Sequence, residues 1–226
     1  MRAWAARLGV PCRGCLGPLD AASEAGLCGR CWSGLVPLPD TRCPRCALVH
    51  DGDCPEPVAW EHGDAVWDYH GGRPALGALL LPAIKAGEWG WRRALLARFD
   101  AAPLPDFARE ADLVTVAPTF WWRDLRRGGD FAEDAAKRVA ERAGLPFLRT
   151  LRKHWRAQGQ TGRPESERRR LPRRAITARP GAGLEGRTVL LVDDVWTTGT
   201  TLLRCAQALE AAGVAEVRVL ALFRAR

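Results

Sequence analysis

"VLLVDDVWTTGTTL", residues 189–202, decides the reading of this chain. Four aliphatic residues run into two aspartates, and the aspartates run at once into threonines around a single glycine. The aliphatic run has the look of a strand buried on both faces, as in a parallel sheet. "TTLLRCAQALEAAG" after it has helical spacing, with Cys205 as a small buried residue. In open α/β sheets ligands bind outside the carboxyl ends of the strands, which is where Asp193 and Asp194 fall. The loop of Thr197, Thr198, Gly199, Thr200 and Thr201 opens the helix. Its backbone N–H groups and the helix dipole make an anion site, and glycine lets a ligand approach the backbone closely.

The junction therefore offers two chemistries side by side. The threonine loop offers N–H and hydroxyl donors to a phosphate. The carboxylates of Asp193 and Asp194 offer acceptors to vicinal hydroxyls, or to water on Mg²⁺. A ribose 5-phosphate carries both complements. The stretch is neither a Walker A loop, having no Gly-Lys-Ser/Thr, nor a G-x-G-x-x-G turn.

The rest of the chain is consistent with an α/β sheet. "AVWDY" (65–69) and "ADLVTVAP" (111–118) read as strands, as do "LPFLRTL" (145–151) and "VAEVRVLALF" (214–223). "WGWRRALLARFDAA" has helical spacing, and "RPALGALLLPAIKAG" reads as a helix broken at Pro82. "GDFAEDAAKRVAERAG" is an amphipathic helix with Asp130 as cap and Gly144 as stop. Strands alternating with helices predict a parallel sheet with right-handed crossovers.

Cysteine crowds the N-terminal end: seven of eight precede residue 55. Cys12-x-x-Cys15 and Cys28-x-x-Cys31 are two complete knuckles, spaced for one tetrahedral Zn²⁺ held by four thiolates. Cys43-x-x-Cys46 is a third knuckle. Its natural mate is incomplete, because Cys54 is followed by "PEP" and Pro57 stands at the fourth ligand position. His50 or His62 completes that set, or Cys43, Cys46 and Cys54 hold no metal, or the knuckles pair crosswise. A closed site predicts stability or partner contact, not catalysis.

The 226 residues, 47% hydrophobic, suit one medium domain and a smaller one: 1–62 as a metal-stapled module and 63–226 as the α/β domain. No run of about 18 uncharged apolar residues predicts a membrane span. No apolar stretch near the start reads as a secretory signal, so the expected location is the cytoplasm. The net charge is +8, and residues 149–174 hold ten Arg and Lys against two Glu, the whole excess. Such a stretch attracts phosphates of a nucleotide or of nucleic acid.

The threonine loop is similar to the signature of type I phosphoribosyltransferases, which bind phosphoribosyl pyrophosphate (PRPP). The whole chain resembles the ComF family of phosphoribosyltransferase-like competence proteins with an N-terminal double zinc ribbon. The resemblance rests on the cysteine knuckles, "CPRC" (43–46), "VAP" (116–118), Gln160 and Gly162, "ER" (167–168), "ARPG" (178–181) and the loop itself. It implies that Asp193 and Asp194 hold the ribose hydroxyls and that Thr197 to Thr201 hold the 5-phosphate. Ala117 and Pro118 would lie near pyrophosphate. The basic stretch, with Arg156, Gln160, Gly162 and Arg168, would be a flap over the ligand. Implied cofactors are Mg²⁺ with PRPP and structural Zn²⁺. The implied activity is pentosyl transfer to an acceptor the sequence does not name. A different class of function is also open: a DNA-uptake accessory protein that contacts single-stranded DNA or a competence helicase, its PRPP site vestigial or regulatory. Ten tryptophans would then supply stacking platforms.

Overall fold

The computed structural model describes residues 10–56, 58–119, 129–154, 172 and 175–225. Its centre is a four-stranded parallel sheet of β1 (His62–Asp68), β2 (Leu113–Val116), β5 (Thr188–Trp196) and β6 (Glu216–Arg224), in the order β1-β6-β5-β2. Two short strands, β3 (Leu151–Lys153) and β4 (Ile176–Ala178), pair antiparallel beside it. The helices are α1 (Gly29–Trp32), α2 (Leu76–Lys85), α3 (Trp89–Ala101), α4 (Phe131–Ala143) and α5 (Thr200–Glu210).

The central strands carry long apolar runs, Val189–Val192 in β5 and Val219–Phe223 in β6, because both faces are covered there, and their period of two appears in which core each residue joins. Leu190 and Val192 pack with Leu80, Leu95 and Phe131, from α2, α3 and α4. Val189 and Leu191 turn the other way, to Leu202, Cys205 and Leu209 of α5. Cys205 is fully buried in that second core.

Helix α4 starts where Asp130 accepts a hydrogen bond from the Ala132 N–H (3.0 Å) and stops at Gly144, whose φ of 71° closes the C-terminus. Pro82, expected to break its helix, lies inside α2. Proline removes one donor from a helix interior. Here buried Leu76, Leu80, Leu81 and Ile84 dock α2 on the core, and the helix continues to Lys85. The strand expected at 145–151 shrinks to a single parallel bridge, Val114 to Phe147, ahead of β3.

The cysteine-rich end packs on this frame. Val36 and Leu38 run along the outer edge of β1: Asp68 N–H bonds to Val36 O (2.8 Å) and Leu38 N–H to Val66 O (3.3 Å). They cover an edge that would otherwise offer unpaired backbone groups. Cys12, Cys28 and Cys31 belong to the core shared with α2 and α3, and Cys46 to the core shared with α5. Among the described residues no helix is long and apolar enough to cross a membrane.

Candidate functional site: the carboxyl edge of the sheet and two cysteine groups

Strand β5 outruns β2. The ladder between them ends at Val116 opposite Val192, and the Ala117 N–H closes it on the Val192 carbonyl (3.0 Å). Asp193 and Asp194 come next, with β6 on one side and the Ala117–Pro118 loop on the other. The Asp193 carboxylate accepts the N–H of Asp194 (2.8 Å), and Asp194 meets Lys85 Nζ of α2 at 2.5 Å. Asp194 is buried, so the lysine is its local counter-charge. Burial, then the charge of Asp194, pushes Asp193 up to about 8, against which Lys85 pulls down. Asp130 is also raised, by burial first and then by Asp194, although Thr119 hydrogen-bonds to it.

Three small cavities meet at this edge. A polar one of about 130 Å³ lies among Lys85, Arg92, Asp130, Asp193 and Asp194. A second, about 40 Å³, is the hollow of the Thr197–Leu202 loop and shares Asp193 as a wall. The third, about 100 Å³, lies beside Ala117 and Pro118 and brings in Asp130, Arg149 and Arg179. A larger open hollow of about 950 Å³ lies between residues 176–185 and the end of α5, and neither aspartate borders it.

In the loop, Thr198 and Thr200 hydroxyls are 2.9 Å apart. Gly199 has a φ of 69° and caps α5 with no side chain over the first turn, so the helix N-terminus faces the hollow. The arrangement can hold an anion at the threonine loop and hydroxyl donors at the carboxylates.

Ala117, Pro118, Asp193, Asp194 and Thr197 to Thr201 thus lie around one edge. Arg156, Gln160, Gly162 and Arg168 lie outside the described residues. Sequence reasoning gave Asp130 only a capping role and gave Lys85, Arg92 and Arg224 no part in this edge. Spacing along the chain does not reveal which helix end meets which strand end.

The cysteines form two groups. Cys12, Cys15, Cys28 and Cys31 have all their sulfurs within 4.8 Å of one another, as do the ligand atoms of Cys43, Cys46, His50 and Cys54. His50, not His62, completes the second set: its Nε2 is 3.5 Å from Cys46 Sγ, while His62 stacks on Phe107. Both groups fit structural zinc, whose Cys₄ and Cys₃His sites are closed tetrahedra. The Cys12–Cys31 and Cys15–Cys28 sulfurs are 3.5 and 3.7 Å apart. Without a cation such crowding sets the thiols against one another. Burial raises Cys12, but N–H groups of Cys28, Cys15 and Gly14 outweigh it and bring it down to about 6. Burial and the neighbouring thiols drive Cys31 up, and burial takes Cys46 to about 12. A divalent cation in each group would let its thiols, four in the first and three in the second, give up their protons.

Residues 125–226 match the phosphoribosyl transferase domain. The chain is similar to Competence protein F of Haemophilus influenzae, 28% identical over 228 residues that span 95% of this chain and 96% of the relative. Among solved structures, the glutamine phosphoribosylpyrophosphate amidotransferase of B. subtilis, complexed with ADP and GMP, is 27% identical over 57% of this chain, with a TM-score of 0.39. The match spans only 25% of that enzyme's length. A purine phosphoribosyltransferase from Pyrococcus horikoshii is 20% identical over 61% of this chain and 84% of its own, TM-score 0.35. Over residues 125–226 the chain is similar to phosphoribosyl transferase domains, and along almost its full length it resembles a competence protein, with N-terminal cysteine groups that fit a zinc ribbon.

Proposed function

We propose that this chain binds PRPP, or ribose 5-phosphate, with Mg²⁺ at the carboxyl edge of the sheet, and acts in the cytoplasm. Asp193 and Asp194 accept the ribose hydroxyls. Thr197 to Thr201 hold the 5-phosphate. Ala117 and Pro118, with Arg149 and Arg179 close by, receive pyrophosphate. Mg²⁺ neutralises phosphate charge when bound. The reaction class is transfer of the phosphoribosyl group to an acceptor, with pyrophosphate leaving. Residues 63–226 are the phosphoribosyl domain and 1–62 the metal-stapled module. The observation that carries the reading is Asp193 itself: the residue lines both the threonine hollow and the polar cavity of Lys85 and Asp194. One ligand can therefore place a phosphate and a pair of hydroxyls on either side of it.

The test is calorimetric titration of PRPP with Mg²⁺ into the wild type and into Asp193→Asn/Asp194→Asn, with a melting curve for each. Above pH 8, where Asp193 has released its proton, the variant is expected to bind about tenfold weaker or more per lost charge-assisted bond and to stay folded. Unchanged affinity with a lowered melting temperature means the aspartates only brace the fold.

A further inference from the structure

We propose that Trp196 is a ligand-binding residue: its indole N–H donates a hydrogen bond to a phosphate oxygen seated in the 197–201 loop. The inference rests on the phosphate reading of that loop and adds a side-chain donor that the loop's threonine pattern does not contain.

Trp196 is 1% exposed, and its Nε1 has no hydrogen-bond partner. Three other buried indoles find carbonyl acceptors. Trp32 donates to the Glu24 carbonyl (2.9 Å), Trp60 to Arg45 (2.8 Å) and Trp91 to Ala25 (2.7 Å). A buried N–H left without an acceptor costs free energy, and folded chains seldom leave one so.

The ring has little freedom to find an acceptor elsewhere. Trp60 packs edge-on against it, centroids 5.4 Å apart at 70°, and the Arg224 guanidinium lies 4.7 Å from its centre. Arg224 also holds the Trp196 backbone carbonyl (3.0 Å). What faces the nitrogen is Gly199: a Cβ built there would stop 3.0 Å from Nε1. Trp196 and Gly199 both wall the loop's hollow. Glycine at 199 therefore does two things. It allows the left-handed φ, and it keeps a side chain from crowding the indole N–H on the side of the loop.

An indole is a donor only, so the atom it awaits is an acceptor. Beside a helix N-terminus and threonine hydroxyls, a phosphate oxygen supplies it. Ribose 5-phosphate and free inorganic phosphate share that chemistry.

The full chain, labelled with ¹⁵N at its tryptophan indoles, is titrated with ribose 5-phosphate and separately with inorganic phosphate. Trp196→Phe assigns the Trp196 signal by its loss. The signal should move downfield with either anion, while those of Trp32 and Trp91 stay. Trp196→Phe should bind ribose 5-phosphate about tenfold weaker. Should Trp196→Phe fail to fold, Gly199→Ala assigns the signal instead, since its methyl group lies against that nitrogen, and the wild-type titration decides. Binding by the wild type with an unmoved Trp196 signal overturns this proposal and leaves the phosphoribosyl reading standing. No binding of either anion to the wild type overturns both.

Discussion

Arg224 donates from Nε to the carbonyl of Cys46, 2.9 Å away, although 178 positions separate the two residues. The same guanidinium reaches the carbonyls of Trp196 (3.0 Å) and Thr197 (2.5 Å) and pairs with Glu56 (3.2 Å). One buried side chain thus ties the second cysteine group to the start of the threonine loop. Trp60 runs a parallel link: its indole donates to Arg45, between Cys43 and Cys46, and its ring packs on Trp196.

The tie predicts that the second cysteine group sets the geometry of the phosphate loop. Arg224→Lys should lower stability by about 2–4 kcal/mol, since a lysine cannot span these acceptors and leaves some unsatisfied. Stripping metal with a chelator should weaken ribose 5-phosphate binding in the wild type and much less in Arg224→Lys. Urea unfolding and calorimetry below the transition read the two effects separately. Wild-type affinity that survives full loss of the metal would break the link.

The two groups should differ when disrupted. Cys28→Ser opens the group packed beside α3, where Trp91 bonds to Ala25 and Arg13 pairs with Glu88. Cys46→Ser opens the one tied to the loop. Each should cost one zinc per chain by elemental analysis, from an expected two. Cys28→Ser should lower the melting temperature with little loss of affinity in the surviving fold, and Cys46→Ser should lower both. His50→Ala should lose one zinc and His62→Ala none. Equal zinc content in all four variants would contradict the ligand sets.

Lys85 supplies counter-charge for an edge that holds three carboxylates, Asp130, Asp193 and Asp194. Lys85→Met leaves Asp194 buried without it, and should cost about 1–3 kcal/mol at neutral pH. Urea midpoints of the wild type and Lys85→Met at neutral pH read the deficit, and equal midpoints would show that the ion pair with Asp194 adds nothing to stability.

Much of this arrangement is legible from residue order. The apolar run 189–192 followed by Asp-Asp and Thr-Thr-Gly has a strand, a carboxyl edge and a helix start written into it. Asp130 and Gly144 mark the ends of α4 through local chemistry that needs no tertiary contact. The fourth member of the second cysteine group is not legible, because His50 and His62 are equally available until the chain's path puts one beside Cys46. Pro82 misleads for a related reason: a local rule predicts a break, and core packing overrides it. Arg224 reads as the polar end of a strand, and only the fold shows its guanidinium among the carbonyls of two distant segments.

Asp193 gives the edge a pH dependence whose sign is fixed. Its carboxyl ionises near 8 in the folded chain and near 3.8 without the fold's influence. Between those values the folded state holds a proton that the unfolded state has released. The unfolded state therefore binds fewer protons, and stability falls as pH rises through that window. Asp193→Asn keeps an acceptor for the Asp194 N–H and removes the titration. Its stability relative to the wild type should climb steadily from about pH 4 to about pH 8 and then level off, as read by urea midpoints. An anion seated in the threonine hollow places negative charge beside Asp193 and raises it further. Ribose 5-phosphate binding near pH 8 without Mg²⁺ should accordingly take up protons, seen as a dependence of the calorimetric heat on buffer ionisation enthalpy. Asp193→Asn should reduce that uptake. Parallel stability curves for the two proteins, with equal proton uptake, would place the ionisation elsewhere than Asp193.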